Sequence, residues 1–156
     1  MPNDATVAEI GAGTGYFVVR LDRVFNGGKV IGIDTEPQMV AYLRKRVAEL
    51  GLTNVDTRLV RPSEAIPLDE QVDLLLCADT YHHIPDRDSL FSNYAKHLKQ
   101  GGKLVIIDRP LNAPEGPPSD LRLSAETVVE ERGEPGLPWL RAWTFFIPIS
   151  ISSRSR

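Results

Sequence analysis

Apolar positions along this chain come in short blocks whose spacing changes from one block to the next. Residues 7–10, Val-Ala-Glu-Ile, make a brief strand. Residues 16–25 have the apolar character of a helix, and Asn26-Gly27-Gly28 ends it. A second strand covers 29–34. Over 36–50, Met39, Val40, Leu43, Val47 and Leu50 recur at three-to-four spacing, which predicts a helix with one apolar face, closed by Gly51. A third strand is expected at 55–60, and the unbroken apolar run 72–78 suits a central strand covered on both faces. A helix over 86–98, a turn at 99–102 and a fifth strand at 104–107 complete the alternation. After Asp108 come a Pro-rich loop over 109–119 and a last helix over 120–132. Strand and helix in regular alternation predict an α/β, doubly wound, mainly parallel sheet with helices on both faces. Ligands of such sheets lie beyond the carboxyl ends of the strands. Residues 11–15, Asp34, Ser63-Glu64 and 79–83 all follow strand ends, so they fall on one rim.

The rim carries recognisable chemistry. Gly11, Gly13 and Gly15 occupy every second position where the first strand meets the first helix. A strand that turns at once into a helix needs backbone angles that a Cβ forbids, and a ligand lying across the turn needs bare backbone to approach. The unpaired N–H groups of the following helix favour a negative group there. The same glycines also suit a tight turn that holds nothing. Asp34 ends the second strand about twenty residues further on, the place of the ribose-binding acid in a nucleotide-binding βαβ unit. Its other reading is an N-cap for the helix entered at Glu36-Pro37.

Together, Glu9-Ile10-Gly11-Ala12-Gly13-Thr14-Gly15, Gly32-Ile33-Asp34, Asp79-Thr80-Tyr81-His82-His83 and Leu98-Lys99-Gln100-Gly101-Gly102 resemble the class I S-adenosylmethionine-dependent methyltransferases of small molecules, over about residues 5–110. The resemblance implies a Rossmann-like fold, S-adenosylmethionine as cofactor, and methyl transfer to an O, N or C nucleophile. It implies that Gly11, Ala12, Gly13, Thr14 and Gly15 wrap the methionine half and that Asp34, with Thr35 beside it, holds the ribose. Glu9 would face the ammonium group through water, and a carboxylate between Ala8 and Ile10 is costly to bury without a partner. Met39 would pack near the adenine, although its helical spacing equally suits plain core. Family members often place an Asp after the third strand to meet the adenine amino group. Here Arg61-Pro62-Ser63-Glu64 stands there, so Ser63 or Glu64 would take that contact. Asp79 either faces the cofactor or caps its own loop.

The stretch after the fourth strand is where the methyl acceptor would approach. His82 or His83 is the candidate general base, since imidazole titrates near neutrality, with the other ring packed or bound to backbone. Both could instead be structural. Tyr81 either lines the pocket or packs beneath the loop. No metal is expected, because the pair offers too few ligands and His97 lies on a distant helix face.

Composition narrows the field only a little. The 156 residues, 42% hydrophobic and 25% charged, are those of a single globular domain. A net charge of −3 argues against a polyanion-binding surface, so a small-molecule acceptor is expected rather than nucleic acid. The single cysteine, Cys77, cannot form an internal disulfide and reads as core. No apolar run reaches membrane-spanning length and no signal peptide is visible, so a cytoplasmic location is the default; oligomeric state stays open. Two other functions compete with methyl transfer. An NAD(P)-dependent oxidoreductase would prefer Gly-x-Gly-x-x-Gly, and this chain has Gly-Ala-Gly-Thr-Gly-Tyr. A non-catalytic cofactor-binding fragment lacking a lid or partner is the other, because only six residues precede the first strand. The expected division is a core over 1–132 and an atypical tail over 133–156, with the family's closing C-terminal hairpin missing or degraded. The tail also suggests a reading out of frame. Back-translating residues 143–151 and shifting two bases permits Asp, two apolar residues, Tyr or His, then Pro-Tyr-Gln-Tyr-Phe, which resembles the family's last strand; coding DNA with the present frame intact would exclude this.

Overall fold

The computed structural model describes residues 1–61 and 68–132. Its elements run β1 (Thr6–Ile10), α1 (Val18–Val24), β2 (Lys29–Asp34), α2 (Pro37–Glu49), β3 (Val55–Leu59), β4 (Val72–Ala78), α3 (Arg87–Ala95), β5 (Leu98–Ile107) and α4 (Ala125–Arg132). Single 3-10 turns at Tyr81–His83 and Ser119–Leu121 interrupt the loops. The strands lie in the order β3-β2-β1-β4-β5, and every neighbouring pair is parallel.

Alternation along each strand feeds two cores. Val7, Val30 and Leu74 point to one side, against Val18 of α1 and Leu43 of α2. Ala8, Ile31 and Leu75 point to the other, against Phe91 and Tyr94 of α3 and Val128 of α4. Period-two alternation in β1, β2 and β4 thus supplies apolar side chains to both faces, which is why these central strands read as continuous apolar runs. The strand order reverses direction between β1 and β4. In open sheets of this kind such a reversal is where ligands bind, at the carboxyl ends of the strands. Among the described residues, no helix is long and apolar enough to cross a membrane.

Several boundaries differ from the sequence reading. Tyr16 and Phe17 belong to the turn, and α1 starts at Val18. In α2 only Val40 and Leu43 are buried; Met39 and Leu50 are exposed. Residues 99–102 are not a separate turn. Leu98 already pairs with Val72, and a register shift before the Leu74–Lys103 pair makes the Gly101-Gly102 stretch a bulge within β5. Helix α3 therefore ends at Ala95, because the Val72 N–H donates to the His97 carbonyl and draws the chain into the sheet. Helix α4 starts late, at Ala125, where the Ser124 hydroxyl accepts from the Thr127 N–H. The proposed tail 133–156, with its missing hairpin and shifted frame, lies outside the described residues.

Candidate functional site

The three glycines of the first loop have different reasons to be glycine. A Cβ on Gly11 would meet the Thr80 side chain, and one on Gly15 would meet Leu43, each at 2.3 Å. These two are bare so that the β4 loop and α2 can close in. Gly13 has nothing within 4 Å of a notional Cβ, yet its φ is +51°. Of the three, Gly13 alone has its Cα open to space that the protein does not fill. Packing alone therefore requires glycine at 11 and 15, whereas at Gly13 the requirement comes from its backbone angle.

Asp34 ties this loop to the end of β2. Its Oδ2 accepts from the Gly13 N–H at 2.7 Å and its Oδ1 from the Glu36 N–H at 2.9 Å. The N-cap of α2 is Glu36, which accepts from the Gln38 N–H, so Asp34 is not the cap. Arg46 of α2 adds a clamp by donating to the Thr14 carbonyl at 2.8 Å. Ala12 is buried, while Thr14, Thr35 and Met39 are exposed. Ser63 and Glu64 lie outside the described residues.

Glu9 is buried at 2% exposure, and its Oε2 is the one fully buried side-chain oxygen or nitrogen without a partner among the described residues. Burial pushes its carboxyl up from 4.5 to about 8; a hydrogen bond from the Val18 N–H opposes the rise and the Asp34 charge adds to it. An unpaired acceptor in such a place is expensive unless something else comes to meet it.

At the end of the neighbouring strand, Asp79 takes a positive φ of 51° immediately after β4, a conformation uncommon for a residue other than glycine. Its N–H donates to the Ile107 carbonyl, and the Arg109 Nε lies 3.4 Å from its Oδ1. The Thr80 hydroxyl donates to the Ala78 carbonyl at 3.0 Å, and its side chain fills the space over Gly11. Tyr81 faces the core instead of the rim. It is fully buried against Phe91, and its hydroxyl lies 2.6 Å from Glu131 of α4.

The two histidine rings lie against each other, centroids 4.1 Å apart, but differ in burial and partners. His83 is exposed. The His82 side chain is 2% exposed, with its Nδ1 2.8 Å from both carboxylate oxygens of Asp108 and its backbone N–H donating to Oδ2 at 3.2 Å. Asp108 also accepts from the Arg109 N–H. Donor atoms of Asp79, His82 and Asp108 all lie within 4.8 Å of one another, although the Arg109 guanidinium already supplies Asp79 with a positive charge. Asp108 is the residue that the sequence reading missed. The available signal was its position, a carboxylate just beyond the fifth strand on the same rim.

Comparison with known proteins gives this geometry a lineage. A family model described as a methyltransferase domain matches residues 7–102. An uncharacterised methyltransferase-like protein of Schizosaccharomyces pombe is 37% identical over 102 residues, covering 65% of this chain and 37% of that protein. The arsenite methyltransferase of Halobacterium salinarum is 27% identical over 124 residues, 79% of this chain and 31% of that protein. Among solved structures, a SAM-dependent methyltransferase from Aquifex aeolicus superposes with a TM-score of 0.70 at 31% identity, covering 85% of this chain and 72% of that one. The chain belongs to the methyltransferase-domain family. Within it, the five-stranded parallel sheet and its helices match the Rossmann-like fold of the class I enzymes that use S-adenosylmethionine. The chain spans about a third of the length of the curated relatives it matches.

Proposed function

We propose that this chain binds S-adenosylmethionine at the β1–β2 rim and transfers its methyl group to a small-molecule nucleophile entering over β4 and β5. The observation that carries the reading is the unpartnered Oε2 of Glu9 beside a loop whose Gly13 opens on unfilled space. A buried acceptor of negative tendency suits the ammonium of this cofactor and opposes the pyrophosphate of a nicotinamide dinucleotide. The residues present therefore fit the cofactor.

Glu9 would meet the ammonium and Gly13 would admit the methionine half. Asp34 would take the ribose hydroxyls on lone pairs not used by Gly13 and Glu36, and exposed Met39 would lie against the adenine. When bound, the cofactor supplies a methyl on a sulfonium that is already activated. The protein's part is to align the acceptor with it and to keep water out. Of the two histidines expected near the acceptor, His82 is the one held by a carboxylate. His83 is free to contact an incoming molecule, and Tyr81 supports the turn from below.

Calorimetric titration with S-adenosylhomocysteine, with NAD as control, tests the reading. Binding of the former alone is expected, and binding of NAD alone would sink it. Asp34→Ala should weaken S-adenosylhomocysteine at least tenfold and cost roughly 1–2 kcal/mol of stability through the two lost acceptors. Unchanged affinity would remove Asp34 from the site.

A further inference from the structure

The loop after β5 contains two arginines that are used differently. Arg122 is engaged by short bonds. It donates to the carbonyls of Pro117 at 2.8 Å, Leu111 at 3.1 Å and Ala113 at 2.6 Å, and so gathers residues 111–117 around itself. Arg109 is seated but barely engaged. Its Nε lies 3.4 Å from Asp79 Oδ1 and its Nη1 3.5 Å from the Glu115 carbonyl, both at the far end of hydrogen-bond range. Its Nη2 has no hydrogen-bond partner among the described residues. An ion pair of that length, between side chains 33% and 53% exposed, contributes little to stability. Yet the loop gives up a residue to seat this side chain. Gly116 has a φ of +126°, and a Cβ there would collide with the Arg109 Cδ and stand 3.0 Å from its Nε. The Arg109 stem therefore rests on bare backbone that any other residue at 116 would cover. At its root, the Arg109 N–H donates to Asp108, the carboxylate that holds His82. The guanidinium thus stands at the carboxyl end of β5, on the side given to the acceptor, fixed along its stem and with donors to spare at its tip.

We propose that Arg109 is a specificity-determining residue that binds a carboxylate of the methyl acceptor, so that the enzyme selects small anionic acceptors. This rests on the methyltransferase reading above. A guanidinium presents paired N–H groups in one plane, which matches a carboxylate, and an arriving carboxylate exchanges long contacts for two short ones. The neighbours set the charge that fits. Asp79 and Asp108 both lie beside Arg109, so a group with one negative charge is favoured over a doubly charged phosphate. Asp79 competes for the same guanidinium, and removing its charge should strengthen the site.

Benzoate is the probe and benzamide its uncharged control, each titrated into the native protein in the presence of S-adenosylhomocysteine. The arginine Nε–H groups, followed by 15N NMR, report the contact, and the Arg109 signal is the one lost in Arg109→Lys. The native Arg109 signal should move saturably with benzoate and stay in place with benzamide. Arg109→Lys keeps the charge but loses the fork, and should weaken benzoate about fivefold or more. Gly116→Ala keeps Arg109 but displaces its stem, and should weaken benzoate to a similar degree. Asp79→Asn should tighten it roughly threefold. A native Arg109 signal that ignores benzoate, or answers benzamide equally, overturns the proposal, and neither result depends on a variant folding. Methyl-labelled cofactor then compares salicylate with salicylamide and anthranilate with anthranilamide. Within each pair the acid should have the higher kcat/KM by about tenfold or more, and Arg109→Lys should erase that preference by raising KM. Equal or faster turnover of the amides overturns the proposal; if neither pair is turned over, the benzoate titration decides it. S-adenosylhomocysteine affinity should stay within about twofold of native in Arg109→Lys. Native protein that takes benzoate at Arg109 without binding S-adenosylhomocysteine would refute the cofactor reading and leave the anion site standing. Native protein that binds S-adenosylhomocysteine and ignores benzoate would refute the anion site alone.

Discussion

Glu9 sets burial against charge. Its folded pKa of about 8 lies above the 4.5 of an exposed glutamate, so the folded protein holds a proton that the unfolded chain releases. Its burial therefore carries no ionisation penalty below 4.5, and that penalty grows as pH climbs toward 8. Glu9→Gln keeps the shape and removes the titration. The melting-temperature advantage of this variant over native protein should widen between about pH 5 and 8, and a constant gap would mean that Glu9 is already ionised in the fold. An ammonium brought against Oε2 reverses the preference and draws the proton off. Binding of S-adenosylhomocysteine should then release close to one proton near pH 6, falling to about half of one near pH 8. Calorimetry in two buffers of different ionisation enthalpy measures this, and identical apparent enthalpies would show that Glu9 is not the ammonium partner.

At the scale of elements, the β1–α1 loop is held by its neighbours. Gly11→Ala combines a positive φ with a collision against Thr80, so a loss of about 2 kcal/mol or more is expected in chemical denaturation. Gly13→Ala meets no atom and should cost only about 1 kcal/mol, yet weaken S-adenosylhomocysteine far more than that. Equal loss of stability and affinity at both positions would contradict the division of labour between packing and ligand. The turn at Tyr81–His83 is braced similarly, with the Tyr81 hydroxyl and both sides of the Arg87 guanidinium on Glu131 of α4. Tyr81→Phe removes one hydrogen bond and should lower stability by about 1 kcal/mol. S-adenosylhomocysteine affinity should be untouched, and a rate loss of 100-fold or more would return Tyr81 to the chemistry. The existence and succession of β1 to β5 along the chain were legible beforehand, most plainly for β4, whose apolar run is bounded by polar residues, and least for β3, where Asp56, Thr57 and Arg58 fill the middle of the strand. The element ends were less legible. Where α3 stops and β5 starts is decided by Val72 and the register shift beside it, and that pairing partner lies 26 residues away.

For the whole molecule, ligand binding at the switch point should be felt on both sides of it. Hydrogen exchange with saturating S-adenosylhomocysteine is expected to slow most at residues 11–15 and at the ends of β2 and β4. Protection confined to α3 and α4 would place the ligand elsewhere. The sequence by itself determined the parallel α/β sheet, the rim on which its strand ends gather and the glycine-and-acid signature of the cofactor family. Those features are local: each depends on residues within one strand–turn–helix unit, where periodicity and backbone constraint act directly. Tertiary structure alone decided which glycine faces open space, that Glu9 is left with an unmet oxygen, that Tyr81 turns inward and that His82, not His83, is held by a carboxylate. Each of these depends on what the strand order carries next to the residue: Thr80 onto Gly11, Leu43 onto Gly15, Glu131 onto Tyr81 and Asp108 onto His82. A pair joined only by adjacent strands in a sheet leaves no mark on the spacing of either residue, so the fold had to be seen before the dyad could be.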